Sequence, residues 1–199
     1  EAVAFLRERY AAENIESEII LNECRNEDWE NNWKQYFHPI PVGEKILIRP
    51  IWEDEFEAGD RKVLNIEPGL AFGTGTHETT RLCLETLEKH VKEGTTVLDI
   101  GCGSGILAIE GAMLGAGEVL GVEIDPVAVE IAQENILLNH AENVARAQFG
   151  DLTKGIDFKA DVVVANLMAD LVMLLSKDVA KHMLPGAKYI SSGILVEKA

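Results

Sequence analysis

Positive charge is the first thing this chain is short of. Its 199 residues carry 18 lysines and arginines against 34 acids, a formal net charge of −16. A field of that sign repels phosphate backbones and attracts basic partners, so a basic protein partner is expected and direct nucleic-acid binding is not. Cysteine is scarce too. Cys24, Cys83 and Cys102 are scattered and odd in number, with neither metal-ligand spacing nor a disulfide framework, which suits a reducing cytoplasm. No apolar run reaches the roughly 18 residues of a membrane span, and no secretory leader is visible, so no membrane association is expected. Position 1 is not methionine, and the chain reads as a piece trimmed from a longer one. What remains is ordinary: 47% apolar and 26% charged residues fit a soluble protein of one domain, with or without an appendage.

Along the chain, "EAVAFLRERY" reads as a short helix and "SEIILNE" as a strand. "NEDWENNWKQYF" places Trp29 and Trp33 on one helical face. "HPIPVG" interrupts the pattern, and "KILIRP" and "KVLNIEP" read as strands ended by proline. From His77 onward helices and strands alternate. "HETTRLCLETLEKHV" puts Thr80, Leu84, Leu87 and Val91 on one helical face. "TTVLDIG", "EVLGVEI", "RAQFGD", "ADVVVANL" and "KYISSGIL" read as strands, separated by helices over "GILAIEGAMLG", "PVAVEIAQENILLN" and "LVMLLSKDVAKHM". Asp125 and Pro126 form an N-cap and first-turn pair, and "PG" at Pro185 is expected to turn. Strands apolar on both faces, joined by helices, predict an α/β fold: a doubly wound, mostly parallel, Rossmann-like sheet. The chain stops straight after its last strand, so the sheet is expected to be truncated at both ends.

"VLDIGCGSGIL" is the most informative stretch. A buried strand ends at Ile100, glycines follow at Gly101, Gly103 and Gly105, and a helix begins at once. Glycines let a ligand approach bare backbone, and the helix start adds unpaired N–H groups. Glu123, at the end of the next strand, is placed to accept hydrogen bonds from both hydroxyls of a ribose. A nucleoside-containing cofactor follows. Gly103, Gly105 and Ala108 can be forced into the nicotinamide pattern G-x-G-x-x-G/A. The better fit is D-x-G-x-G-x-G from Asp99 to Gly105. An anionic Asp99 is a poor neighbour for a pyrophosphate and suits a ligand with an amino group, as S-adenosylmethionine has; alternatively Asp99 caps its own turn.

With "GVEID" beside it, "LDIGCGSGIL" resembles the class I S-adenosylmethionine-dependent methyltransferases. "GLAFGTGTHETT" upstream and "VVVANLMA" downstream narrow the resemblance to ribosomal protein methyltransferases of the PrmA type, over roughly residues 26 to 199. The resemblance implies trimethylation of amino groups, on lysine or the amino terminus, of the eleventh protein of the large ribosomal subunit. It puts cofactor contacts at Thr80, Gly101, Glu123 and Asn166, where Glu123 replaces the aspartate common in relatives. It also implies an amino-terminal substrate-recognition domain, whose tail would be residues 1–25. A linking helix and entry strands would then occupy 26–60, and the methyltransferase domain 61–199, incomplete at its carboxyl end.

"GLAFGTGTHETT" is not a phosphate-binding P-loop, since no lysine follows its glycines. It is expected to fold over the cofactor, with Thr80 offering a hydroxyl and Phe72 covering an apolar part. His77 is either a local hydrogen-bonding group at a helix start or a residue near the substrate amine. No zinc site has the needed spacing, and no metal is expected. Asn166 is the expected catalytic residue, orienting the amine. Deprotonating a lysine of pKa about 10.4 costs roughly 4.6 kcal/mol at pH 7, a cost that an apolar site lowers, so a dedicated base is optional. Leu167 and Met168 follow Asn166 where adenine-amine and glutamine methyltransferases carry two prolines and an aromatic. No cysteine follows a proline, which excludes the cytosine-carbon class. Another class I methyltransferase, an NAD-dependent oxidoreductase and a non-catalytic binding module remain as alternatives.

Overall fold

The computed structural model describes residues 2–13, 15, 37–67, 75 and 77–194. The readings made above for "SEIILNE", for Trp29 and Trp33, and for Phe72 lie outside these residues. The chain divides into two units, Glu1–Phe37 and His38–Ala199. In the first, helix α1 spans Ala2–Ala12.

The second unit opens with a three-stranded sheet in the order β1 (Ile40–Val42), β2 (Ile46–Pro50), β3 (Lys62–Ile66). β2 runs antiparallel to β1 and parallel to β3. Helix α2 (Glu78–His90) follows, then β4 (Thr96–Ile100), α3 (Ile106–Met113), β5 (Glu118–Glu123), α4 (Pro126–Leu138), β6 (Ala145–Phe149), β7 (Ala160–Asn166), α5 (Ala169–Leu175) and β8 (Met183–Ser192). The last five strands form one parallel sheet in the order β6-β5-β4-β7-β8.

Alternation along the strands sorts the core into two faces. Val97, Val119, Val162 and Val164 pack with α2, α3, α4 and the three-stranded sheet. Leu98, Ile100, Leu120, Val163 and Ala165 pack with Leu175 and Val179 on the other side. The α2 stripe read from the sequence is buried as expected: Thr80, Leu84, Leu87 and Val91 are all at most 4% exposed. Cys83 joins them.

Three local readings are corrected. "HPIPVG", read as a break, holds β1, which pairs antiparallel with β2 through Ile40–Val42. The helix expected over "LVMLLSKDVAKHM" ends at Leu175, and only a 3-10 turn, Val179–His182, follows before β8 begins at Met183. Tertiary contacts override the helical pattern there: Val179 is buried in the second core, and His182 Nδ1 lies 3.0 Å from the Phe158 carbonyl oxygen. Pro185 and Gly186 do not end an element but form an irregularity inside β8. Pairing jumps from Ala160↔Met183 to Val162↔Lys188, because proline brings no N–H to the ladder and Gly186 takes φ +86°.

Candidate active site

The winding of the five-stranded sheet reverses between β4 and β7: the chain adds β5 and β6 on one side of β4, then β7 and β8 on the other. Open parallel sheets bind ligands at the carboxyl ends of the strands flanking such a reversal. Those ends carry the Gly101–Gly105 loop and Asn166.

Gly101, Gly103 and Gly105 take φ of +73°, +52° and +80°, a left-handed conformation that costs other residues energy. The loop is also closely packed. A Cβ on Gly101 would stand 2.4 Å from Leu167 Cδ2, and one on Gly105 would stand 3.2 Å from the Ala132 side chain. The N–H groups of Gly101 and Cys102 both donate to the Val122 carbonyl, at 2.8 and 3.1 Å. The loop delivers the chain into α3, whose N-cap Gly105 supplies no capping side chain. In the first turn of that helix the Ala108 amide, left without a capping side chain from Gly105, faces Asp99.

Glu123 ends β5 and is docked onto this loop. Its Oε2 accepts the Gly103 N–H at 2.9 Å, and its Oε1 accepts those of Ile124 and Asp125 at 2.8 and 3.2 Å. Asp125 caps α4, accepting the Val127 N–H at 2.9 Å, with Pro126 in the first turn. Asp99 behaves differently. It is 0% exposed, and neither carboxylate oxygen makes a hydrogen bond of normal geometry among the described residues. Burial, reinforced by the charge of Glu123, pushes its carboxyl up to about 7, against a weaker opposing pull from the Ala108 amide.

The structure brings Asn166 and Thr80 together. Asn166 Nδ2 donates to Thr80 Oγ1 at 3.1 Å, across 86 residues of sequence. Thr80 is 1% exposed, so its hydroxyl serves Asn166 from inside the core. His77 is the N-cap of α2: its Nδ1 accepts the Thr79 N–H at 3.3 Å and lies 2.7 Å from Thr79 Oγ1. The local role read from the sequence is present, and His77 also borders a cleft of about 620 Å³. Asn166, Leu167, Met168, Leu171 and Ile194 line that cleft, which is mostly apolar.

Sequence reasoning passed over the clamp on Leu167. Besides meeting Gly101, Leu167 donates its N–H to Ser192 at 3.2 Å, and its carbonyl lies 2.4 Å from where a Cβ on Gly193 would be. The available signal was a glycine directly after the last strand. Two exposed apolar side chains near the acid were also missed. Ile124 is 59% and Phe149 61% exposed, and Phe149 is the register partner of Glu123. Among the described residues no group of three or more His, Cys, Asp or Glu side chains could hold a metal ion.

The model of the ribosomal protein L11 methyltransferase family (PrmA) matches residues 2–199. The chain belongs to this family. It is 49% identical to a ribosomal protein L11 methyltransferase of Clostridium perfringens over 92% of its own length and 58% of that protein's. The chain thus spans somewhat more than half of the curated relatives it matches. The crystal structure of a ribosomal protein L11 methylase from Lactobacillus delbrueckii subsp. bulgaricus superposes with a TM-score of 0.74 at 35% identity, covering 79% of this chain and 81% of that one. A 16S rRNA N2 G1207 methyltransferase of T. thermophilus, solved with AdoMet and guanosine, superposes at 0.54 and 27% identity over 61% of this chain and 36% of that one. The fold is that of the class I S-adenosylmethionine-dependent methyltransferases.

Proposed function

We propose that this chain is the catalytic part of a methyltransferase that moves methyl groups from S-adenosylmethionine to amines, on lysine or the amino terminus, of ribosomal protein L11. The observation that carries the reading is the placement of Asn166. Its Nδ2 is engaged by Thr80, and its Oδ1 has no partner among the described residues. Asn166 lines the apolar cleft at the end of β7, the strand paired with β4, which leads into the glycine loop.

The residues fit the cofactor. The positive-φ loop turns bare backbone toward the start of α3, with the space beside Gly101 and Gly105 taken by Leu167 and Ala132, and Glu123 would exchange its loop amides for ribose hydroxyls. Exposed Ile124 and Phe149 offer apolar surface for a purine. Asp99 and Glu123 make the surroundings of the loop negative, which favours a ligand bearing an ammonium and a sulfonium and disfavours a pyrophosphate. This argues against the NAD alternative. Thr80 contributes through Asn166, and Phe72 is proposed to cover an apolar part of the cofactor.

Bound S-adenosylmethionine supplies an electrophilic methyl group on a sulfonium sulfur. The task of the chain is alignment and exclusion of water. The apolar cleft disfavours an ammonium and so lowers the pKa of an entering lysine. Asn166 Oδ1 accepts an N–H of the neutral amine and thereby turns its lone pair. The net charge of −16 attracts a basic ribosomal protein, and such a substrate places the reaction in the cytoplasm.

Calorimetric titration with S-adenosylmethionine, S-adenosylhomocysteine and NAD tests the cofactor, and a labelled-methyl assay on L11 tests the transfer. Binding of the first two with methylation of L11 is the expected result. Binding of NAD alone would overturn the reading.

A further inference from the structure

We propose that Asn135, a helix residue outside the site described so far, is a positioning residue for the cofactor loop; the inference rests on the cofactor reading above. Asn135 lies in the third turn of α4 and is 1% exposed. Its Nδ2 donates to the carbonyl of Ser104, inside the glycine loop, at 3.0 Å. Its Oδ1 accepts the N–H of Glu67, just after β3, at 3.1 Å. The donor end of the amide faces an acceptor and the acceptor end a donor, so its orientation is fixed by both partners. One turn earlier Ala132 closes the contact: Gly105 approaches so near that a Cβ would be 3.2 Å from the Ala132 Cβ and 3.3 Å from its Cα.

Asn139, one turn later, extends the same device without touching the loop. Its Oδ1 accepts the Asn65 N–H at 2.7 Å, and its Nδ2 donates to the carbonyls of Asn65 and Asn135 at 2.6 and 2.8 Å. The two asparagines thus pair the outer edge of β3, where residues 65 and 67 point their backbone groups the same way. Asn135 alone carries that edge across to the glycine loop. The three-stranded sheet, α4 and the loop are thereby held in one register, and the loop amides are aimed before any ligand arrives.

The test compares Asn135→Ala with Asn139→Ala by calorimetric titration with S-adenosylhomocysteine, alongside thermal unfolding. Both variants lose hydrogen bonds and should melt earlier. Only Asn135→Ala should bind more weakly, by about tenfold, with Asn139→Ala within about twofold of the unmodified chain. Equal affinity of Asn135→Ala and the unmodified chain, or equal losses in both variants, overturns the proposal. Failure of the unmodified chain to bind sinks the cofactor reading instead. If Asn135→Ala does not fold, the side-chain amide resonances of the unmodified chain decide: saturation with S-adenosylhomocysteine should shift that of Asn135 and leave that of Asn139, and an unmoved Asn135 signal refutes the role.

Discussion

Replacing Asp99 with asparagine should make the free protein more stable and the loaded one weaker. Asp99 is fully buried with no hydrogen bond of normal geometry among the described residues, and with only a weak pull from the Ala108 amide against burial its carboxyl sits near 7 against an ordinary 3.8. An acid whose pKa is raised by folding binds its proton longer in the native state than in the unfolded one. Its contribution to stability is therefore intact below about 3.8 and declines as pH rises, until the native carboxyl ionises near 7. The accumulated loss at pH 8 is on the order of 4 kcal/mol, and about 3 kcal/mol of it falls between pH 5 and pH 8. Asparagine does not titrate. Urea unfolding of both proteins from pH 5 to 8 should show Asp99→Asn gaining on the parent by roughly 3 kcal/mol across that range. Whatever asparagine costs or gains by its own contacts is the same at each pH and drops out. Parallel stability curves would refute the reasoning, because they would mean that Asp99 ionises as readily folded as unfolded.

The same substitution should weaken S-adenosylmethionine, which carries positive charge that the ionised Asp99 attracts. A loss of about tenfold or more at pH 8 is expected. Binding should also draw the Asp99 proton off. Near pH 6.5 the unmodified chain should release a fraction of a proton on binding, read as a dependence of the calorimetric enthalpy on the buffer's ionisation heat, and Asp99→Asn should not.

Asn166→Ala should cut L11 methylation by about a hundredfold while lowering stability by only about 1 kcal/mol, the worth of the hydrogen bond to Thr80; methyl incorporation and urea unfolding check the two. Gly193→Ala combines a φ of +89° with a Cβ 2.4 Å from the Leu167 carbonyl oxygen, so the Leu167 backbone must move. Turnover should fall at least tenfold with cofactor affinity nearly unchanged, and a matched drop in both would place the damage elsewhere. Glu110 is 0% exposed with neither oxygen hydrogen-bonded among the described residues, and burial followed by the charge of Glu88 holds its carboxyl well above the usual range. Glu110→Leu should stabilise the chain by about 1–3 kcal/mol at pH 8 and by less at pH 5, measured by the same urea titrations.

Local chemistry made the strands after β1, the glycine loop and Glu123 legible in the sequence, because each is written in consecutive residues: an apolar run, glycines at alternate positions, an acid closing the next strand; β1 was hidden by the prolines and glycine of "HPIPVG". The α2 stripe was legible for the same reason, since helical spacing predicts its buried face. The residues that the sequence did not expose are those whose partners are far along the chain. Asn135 meets Ser104 across 31 residues and Glu67 across 68, and in the sequence it is only a polar residue in an amphipathic helix. The break after Leu175 was hidden by a helical pattern that continues through Val179, a residue whose burial belongs to the second core. Propensity and periodicity describe a segment, whereas these contacts depend on which strand the sheet places beside which.

Methyl transfer demands that a cofactor and an amine be aligned to within a fraction of an ångström, and on the proposed reading they are held by different strands. Leu167 is the residue through which the two are made to agree. Its side chain fills the space over Gly101 in the cofactor loop, and its carbonyl is met by Gly193 after β8. Its N–H is fixed by Ser192. The neighbouring Asn166 is tied in turn to Thr80 on α2. A Cβ at Gly101 pushes on the Leu167 side chain and one at Gly193 on its peptide, and a displaced Leu167 peptide carries Asn166 with it. On the proposed reading the two glycines are constrained by catalysis as well as by backbone conformation, and damage at Gly193 should be felt most by the amine, for which Asn166, next to the clamp, is the expected acceptor.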